Sequence, residues 1–139
     1  MKRIVIIEDQ TAVREMVAHV ISADQQYRVV AQSGDGRTAL DLCIKEKPEI
    51  AILDIMIPEM NGIELLKKLS KALPELRVLV FSAYTDLIVI KQVMDAGAWG
   101  FVSKNAALRD LRKALDHISK GERFYDADLE NRIQNLPSK

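Results

Sequence analysis

Short apolar, β-branched runs alternate with segments of helical length almost from end to end, and that alternation leaves few folds open. The runs fall at residues 3 to 8, 28 to 33, 50 to 54, 77 to 82 and 100 to 103. Strands separated by a dozen or more residues are joined by crossovers, which makes them parallel neighbours. Continuous apolar runs, without an inside–outside alternation, belong to strands covered on both faces. The expectation is an α/β, doubly wound, five-stranded parallel sheet with helices on both sides. The second run is the most polar, which predicts an edge position for it.

The intervening segments carry stripes at helical spacing. Ala12, Val13, Met16, Val17, Val20 and Ile21 form one; Ala39, Leu40, Cys43 and Ile44 form another before Pro48. Asn61 followed by Glu64 has the pattern of a capping box, opening a third helix whose Ile63, Leu66, Leu69 and Leu73 share a face up to Pro74. Leu108, Leu111, Leu115 and Ile118 mark a fifth, with Gly121 as its C-terminal cap. The fourth helix, Leu87 to Met94, spreads apolar residues beyond one stripe. Two readings stay open for it: a partner surface, or a helix more buried than its neighbours. Beyond Gly121, Leu129, Ile133 and Leu136 predict an extra terminal helix, capped by Asp126 or Asp128. Trp99 is expected to pack against the fourth helix.

At 139 residues and 48% hydrophobic content the chain has material for one core. Twenty basic and 20 acidic residues balance, so no global field draws it to nucleic acid or anionic lipid. Direct DNA binding is not expected, there being no basic helix. A lone cysteine, Cys43, allows no internal disulfide, and no signal peptide or membrane-spanning run is present; a cytoplasmic location fits. His19 and His117 have no Cys or His companions and make a poor metal site.

Chemistry concentrates where the apolar runs stop. Glu8 and Asp9 follow the first, Asp54 the third, Ser82 the fourth and Lys104 the fifth. In doubly wound sheets, ligands bind beyond the carboxyl ends of the strands, so these residues converge if the fold is right. Carboxylates about 4 Å apart at an effective dielectric near 20 repel by roughly 4 kcal/mol per pair. A divalent cation with hard oxygen ligands, such as Mg²⁺, explains why a fold would accept that cost. Three carboxylates, a hydroxyl and an ammonium suit phosphoryl transfer, which runs on positioning and charge neutralisation. Asp54 is the nucleophile in this reading, Glu8 and Asp9 hold the metal, and Ser82 and Lys104 contact the phosphoryl oxygens. Taken singly, each has an ordinary alternative. Glu8, Asp9, Asp54 and Ser82 could be helix caps or turn residues, and Lys104 an exposed lysine.

The same residues resemble the receiver domain of two-component response regulators over residues 3 to 120. Glu8-Asp9 is similar to its acidic pair, Asp54-Ile-Met-Ile-Pro-Glu-Met-Asn-Gly62 to its phosphoacceptor loop, Ser82-Ala83 to its hydroxyl position and Lys104 to its lysine. Ala96-Gly-Ala-Trp-Gly-Phe-Val-Ser-Lys104 further resembles the NarL/FixJ subgroup, whose receivers precede a LuxR-type helix-turn-helix. The resemblance implies a flavodoxin-like strand order 2-1-3-4-5 and phosphorylation of Asp54 by a sensor histidine kinase. It implies Mg²⁺ on Asp9, Asp54 and the backbone carbonyl of Met56, with Glu8 acting mostly through water. Ser82 and Phe101 would form the switch, the ring turning into space the hydroxyl leaves. Met56 and Tyr84 would flank the phosphoryl group and lengthen its lifetime by excluding water. It further implies a receiver over residues 1–121, and a linker helix over 122–139 toward an output domain that binds DNA and controls transcription. A phosphorylation-linked homodimer is expected on the fourth helix and fifth strand, or on the first and fifth helices.

Other functions stay in view. A flavin mononucleotide binder shares the topology, but Glu8-Asp9 would repel its phosphate. An aspartyl phosphatase typically carries a second acid two residues after the nucleophile, where this chain has Met56; no enzyme activity beyond self-phosphorylation and slow autodephosphorylation is expected. The remaining alternatives are a stand-alone single-domain regulator and an interaction module independent of phosphate.

Overall fold

Burial divides the strands as their side-chain alternation requires. In a computed structural model, which describes residues 1–56, 61–83, 85–105 and 108–135 apart from the side chains of Ala127, Asp128, Glu130 and Ile133, the apolar runs become strands of one sheet. In chain order the elements are β1 (Lys2–Ile7), α1 (Thr11–Ser22), β2 (Tyr27–Ser33), α2 (Gly36–Glu46), β3 (Ile50–Leu53) and α3 (Gly62–Ala72). They continue as β4 (Arg77–Ser82), α4 (Leu87–Asp95), β5 (Gly100–Ser103), α5 (Leu108–Ser119), β6 (Phe124–Tyr125) and α6 (Ala127–Gln134). Val5, Ile7, Leu53, Val80 and Phe101 face α2, α3, α4 and Leu129 of α6; Ile4, Ile6, Ile52, Leu79 and Val102 face α1 and α5.

The sheet is parallel throughout, with order β2-β1-β3-β4-β5-β6. The doubly wound fold and the edge position of β2 stand as expected, but the strand count does not: among the described residues there are six, and β6 covers the edge of β5. Two residues, Phe124 and Tyr125, are too short to carry a periodic signal. Their pairing depends on Gly100, where a Cβ would lie 2.5 Å from the Phe124 carbonyl oxygen.

Helix faces follow the stripes with local departures. Val17 and Ile21 of α1 and Ala39 and Cys43 of α2 are buried, whereas Met16 and Ile44, at the stripe margins, are exposed. In α3 the buried set is Leu65, Leu66 and Leu69, and Ile63 and Leu73 are only partly covered. Asn61 caps that helix by accepting from the Ile63 amide at 2.8 Å, one residue short of the capping-box partner. On α4, Ile90 and Val93 are buried while Ile88 is 71% exposed, which favours an outward apolar face over a fully covered helix. Asp126 caps α6 through the Leu129 amide at 3.1 Å, and Leu129 is fully buried; Leu136 lies outside the described residues, as does the side chain of Ile133. Among the described residues, no helix is long and apolar enough to cross a membrane.

Two side-chain hydrogen bonds tie α5 to β2: the Tyr27 hydroxyl donates to Asp116 Oδ1 at 2.5 Å and accepts from Ser119 Oγ at 3.4 Å. Burial, then Asp116, pushes the Tyr27 phenol up to about 12. An unfolded tyrosine ionises near 10, so this raised group stabilises the fold fully below about pH 10 and loses that contribution as pH climbs through the folded value. Tyr27→Phe should cost about 1 kcal/mol near neutrality. Urea midpoints of parent and variant should converge between about pH 10 and 12; a gap that stays constant through that range would refute the assignment.

Candidate functional site

Adjacent strands β1 and β3 pair Ile7 with Leu53, so the residues that follow each strand emerge side by side. The Asp54 amide donates to the Ile7 carbonyl at 3.0 Å, which fixes Asp54 beside Glu8 and Asp9. On the other flank β4 and β5 pair Ser82 with Ser103, and the Lys104 amide donates to the Ser82 carbonyl at 3.0 Å. The strand-end residues singled out from the sequence therefore share one edge of the sheet.

Carboxylate oxygens of Glu8, Asp9 and Asp54, one from each, all lie within 4.8 Å of one another. The Lys104 ammonium sits 2.8 Å from Asp54 Oδ2 and 2.5 Å from Glu8 Oε1. Asp54 Oδ1 accepts from the Met56 amide at 3.0 Å, and Glu8 Oε2 from the Gln10 amide at 3.0 Å. Glu8 and Asp54 are 3% and 5% exposed, whereas Asp9 is exposed at the mouth. Desolvation raises the pKa of Glu8, with the nearby Lys104 ammonium and the Gln10 amide opposing and the Asp54 charge adding to the rise. For Lys104 desolvation alone would lower the pKa, but the bonds to Asp54 and Glu8 outweigh it and the ammonium is held charged.

Asp54 and Glu8 do make local turn bonds, to amides two residues on, but the helix-cap alternative does not hold. The N-cap of α1 is Gln10, without a side-chain cap bond; α3 is capped by Asn61 and α4 by Asp86. Glu8, Asp9, Asp54 and Ser82 therefore cap none of these helices. The Lys104 side chain is 17% exposed, unlike a surface lysine. Ser82 and Phe101 are fully buried, and Met56 is 60% exposed beside the acids. Tyr84 lies outside the described residues.

The donor set fits a divalent cation on its own chemistry. Three carboxylates against one ammonium leave surplus negative charge, and Glu8 Oε1, though buried near that ammonium, accepts no well-directed hydrogen bond. Hard oxygens with unspent lone pairs are what Mg²⁺ takes. A Cβ on Gly62 would lie 2.3 Å from Ile55 Cα, so α3 can begin against Ile55 only because the side chain is absent.

Two contacts carry no sequence signal. Arg14 Nη1 donates to the Glu8 carbonyl at 2.6 Å, and Asp126 Oδ2 accepts from the Ser103 amide at 2.8 Å. Asp126 is legible from sequence only as a helix cap; its second bond depends on where β6 docks.

Comparison with known proteins settles the family. The model of the response regulator receiver domain matches residues 4–116. This chain belongs to that family. The receiver is 32% identical over 134 residues to the transcriptional activator protein ExaE of Pseudomonas putida, covering 96% of this chain and 63% of the relative. It is 32% identical over 119 residues to the transcriptional regulatory protein DegU of Brevibacillus brevis, covering 86% and 50%. Among solved structures, a LuxR-family two-component response regulator from Aurantimonas sp. SI85-9A1 superposes with a TM-score of 0.93 at 28% identity, covering 96% of each chain. The receiver thus spans about half to two thirds of the length of these curated relatives. Phosphorylation-dependent switching is general behaviour of the family, and receivers are signalling rather than catalytic proteins.

Proposed function

We propose that Asp54 of this receiver accepts a phosphoryl group from the phosphohistidine of a sensor kinase. A carboxylate oxygen of Asp54 attacks phosphorus, the P–N bond breaks, and the imidazole leaves with the electron pair and takes a proton from solvent. The product is an acyl phosphate on Asp54. The observation that carries this reading is the Lys104 ammonium within 2.8 Å of Asp54 Oδ2 in a pocket of hard oxygens. Asp9, Asp54 and the Met56 carbonyl would hold Mg²⁺, with Glu8 acting mostly through water; when bound, the ion neutralises charge between an anionic nucleophile and an anionic donor.

Phosphorylation adds about −1.5 to −2 charge and three acceptor oxygens. Lys104, released from Asp54, then pairs with the phosphoryl oxygens, and the Ser82 hydroxyl moves to donate to them. The Phe101 ring fills the space behind Ser82, and α4 and β5 adjust, because packed cores switch between discrete arrangements. The outward apolar residue Ile88 supports a partner surface on that region, with a homodimer there or through α1 and α5. Residues 1–121 form the receiver and 122–139 lead toward a LuxR-type DNA-binding output that controls transcription, a reading supported by the longer relatives named as transcriptional regulators. The receiver acts in the cytoplasm. Autodephosphorylation is slow, with exposed Met56 shielding the mouth.

Incubation with Mg²⁺ and acetyl phosphate, read by intact mass, should add one phosphoryl group to the parent and none to Asp54→Asn. A gain that survives the substitution places the acceptor elsewhere.

A further inference from the structure

Segment 122–129 is pinned to the receiver at four successive points. Arg123 Nη1 donates to the Ala98 carbonyl at 2.7 Å, and its guanidinium lies 4.6 Å from the centre of the Trp99 ring, which Arg77 also approaches at 4.7 Å. Trp99 thus packs beside the α1–α5 layer, not against α4 as its sequence position suggests. Phe124 and Tyr125 then pair with Gly100 and Phe101, the Phe124 amide donating to Trp99 and the Asp126 amide to Phe101. Asp126 follows, buried to 4% exposure, with one carboxylate oxygen on the Ser103 amide and the other on the Leu129 amide. Leu129 closes the series inside the core that contains Phe101, Ile90 and Val93.

These contacts surround the short stretch that carries the switch. Ser103 is held from outside by Asp126, and the next residue, Lys104, is held from inside by the Ser82 carbonyl and reaches Asp54. Any backbone shift that lets Lys104 follow a phosphoryl group must work against the Ser103–Asp126 bond, and Asp126 also begins α6. We propose that β6 and the start of α6 form a clasp on β5, with Asp126 the positioning residue that couples the reach of Lys104 to the docking of the segment after Gly121. The clasp rests on the phosphoacceptor reading for its trigger, though not for its existence. Linkage makes the coupling reciprocal: what loosens β6 changes how Lys104 is presented, and what draws Lys104 changes how firmly β6 is held. Covering the β5 edge also removes it as a template for strand addition by another chain.

The test uses the full chain. Amide hydrogen exchange is followed first without phosphodonor in the parent, Asp126→Ala, Asp126→Asn and Gly100→Ala. Asp126→Ala should speed exchange at Ser103 and Leu129 roughly tenfold. Asp126→Asn, which keeps an acceptor oxygen, should recover much of the protection. Gly100→Ala should speed Ser103 exchange with Asp126 intact, because the new Cβ displaces the Phe124 carbonyl. If Gly100→Ala fails to fold, Asp126→Ala and its Asn rescue decide alone; unchanged Ser103 exchange in whichever variants fold overturns the clasp. Acetyl phosphate and Mg²⁺ are then added. Exchange at Phe124 to Asp126 and the emission of Trp99, the single tryptophan, should both shift in the parent and not in Asp126→Ala. Phosphorylated Asp54 with no response at β6 also overturns the clasp. Failure of the parent to gain a phosphoryl group counts against the phosphoacceptor reading, and the donor-free arm still judges the clasp.

Discussion

Replacing Lys104 with methionine should destabilise the receiver by roughly 3–5 kcal/mol in the presence of a chelator, the cost of leaving buried charges unpaired. Glu8 and Asp54 keep their places at the ends of β1 and β3 because backbone pairing holds them there, and removal of the ammonium takes away the ion-pair partner they share. The pH dependence has a definite sign. Glu8 already has a folded pKa raised by desolvation above its ordinary 4.5, so its favourable contribution is full below that value and is lost as pH rises through the folded one. Without Lys104, which opposes that rise, the folded pKa moves further up. The deficit of Lys104→Met should therefore be greatest near and above neutrality and shrink as pH falls toward 4.5. Mg²⁺ should shrink it too, since acids no longer paired with an ammonium bind the ion more tightly, and each tenfold gain in affinity adds about 1.4 kcal/mol at saturation. Urea unfolding of parent and variant, in chelator and in Mg²⁺, reads all three effects. Absence of any stabilisation by Mg²⁺ in either protein would show that the acids do not form a cation site.

That prediction draws on a part of the site that could be read from residues alone and a part that could not. The runs ending at Ile7 and Leu53 announce their own termination, because a buried parallel strand cannot continue into carboxylates; the placement of Glu8, Asp9 and Asp54 follows from that and from the doubly wound topology. The polarity of the second run likewise marks β2 as an edge, which is where it lies. Which acid Lys104 grips is a different kind of question. A flexible four-carbon side chain chooses among neighbours by local geometry, and it takes Glu8 as well as Asp54, so Glu8 has a pairing role besides the one expected at the metal. Strand β6 escaped for another reason: two residues have no periodicity, and their docking depends on a missing Cβ on another strand. Ile88 illustrates a third limit. The spacing of Leu87 to Met94 suits either a deeply buried helix or one with an outward apolar face, and only the position of α4 over the sheet separates them.

Phe101→Ala should cost about 3–5 kcal/mol, at the upper end for a single core truncation. The ring is fully buried on the face that carries α3, α4 and Leu129, with Val80 and Tyr125 as its strand neighbours, so a cavity there has well-fixed walls. Phe101→Leu keeps most of the volume and should cost less than about 1.5 kcal/mol. The pair of variants separates packing from switching. Asp54 and Lys104 owe their positions to backbone bonds that neither substitution removes, so both folded variants should still gain a phosphoryl group from acetyl phosphate. In Phe101→Leu the downstream response should fail, because a branched aliphatic chain cannot turn as a flat plate into space vacated by the Ser82 hydroxyl. Hydrogen exchange at the Ile90 amide, on the buried face of α4, should change on phosphorylation in the parent and stay flat in Phe101→Leu. An equal response at Ile90 in both proteins would assign Phe101 to the core alone and leave the path from Asp54 to α4 to be sought through Ser82 and the β4–α4 connection.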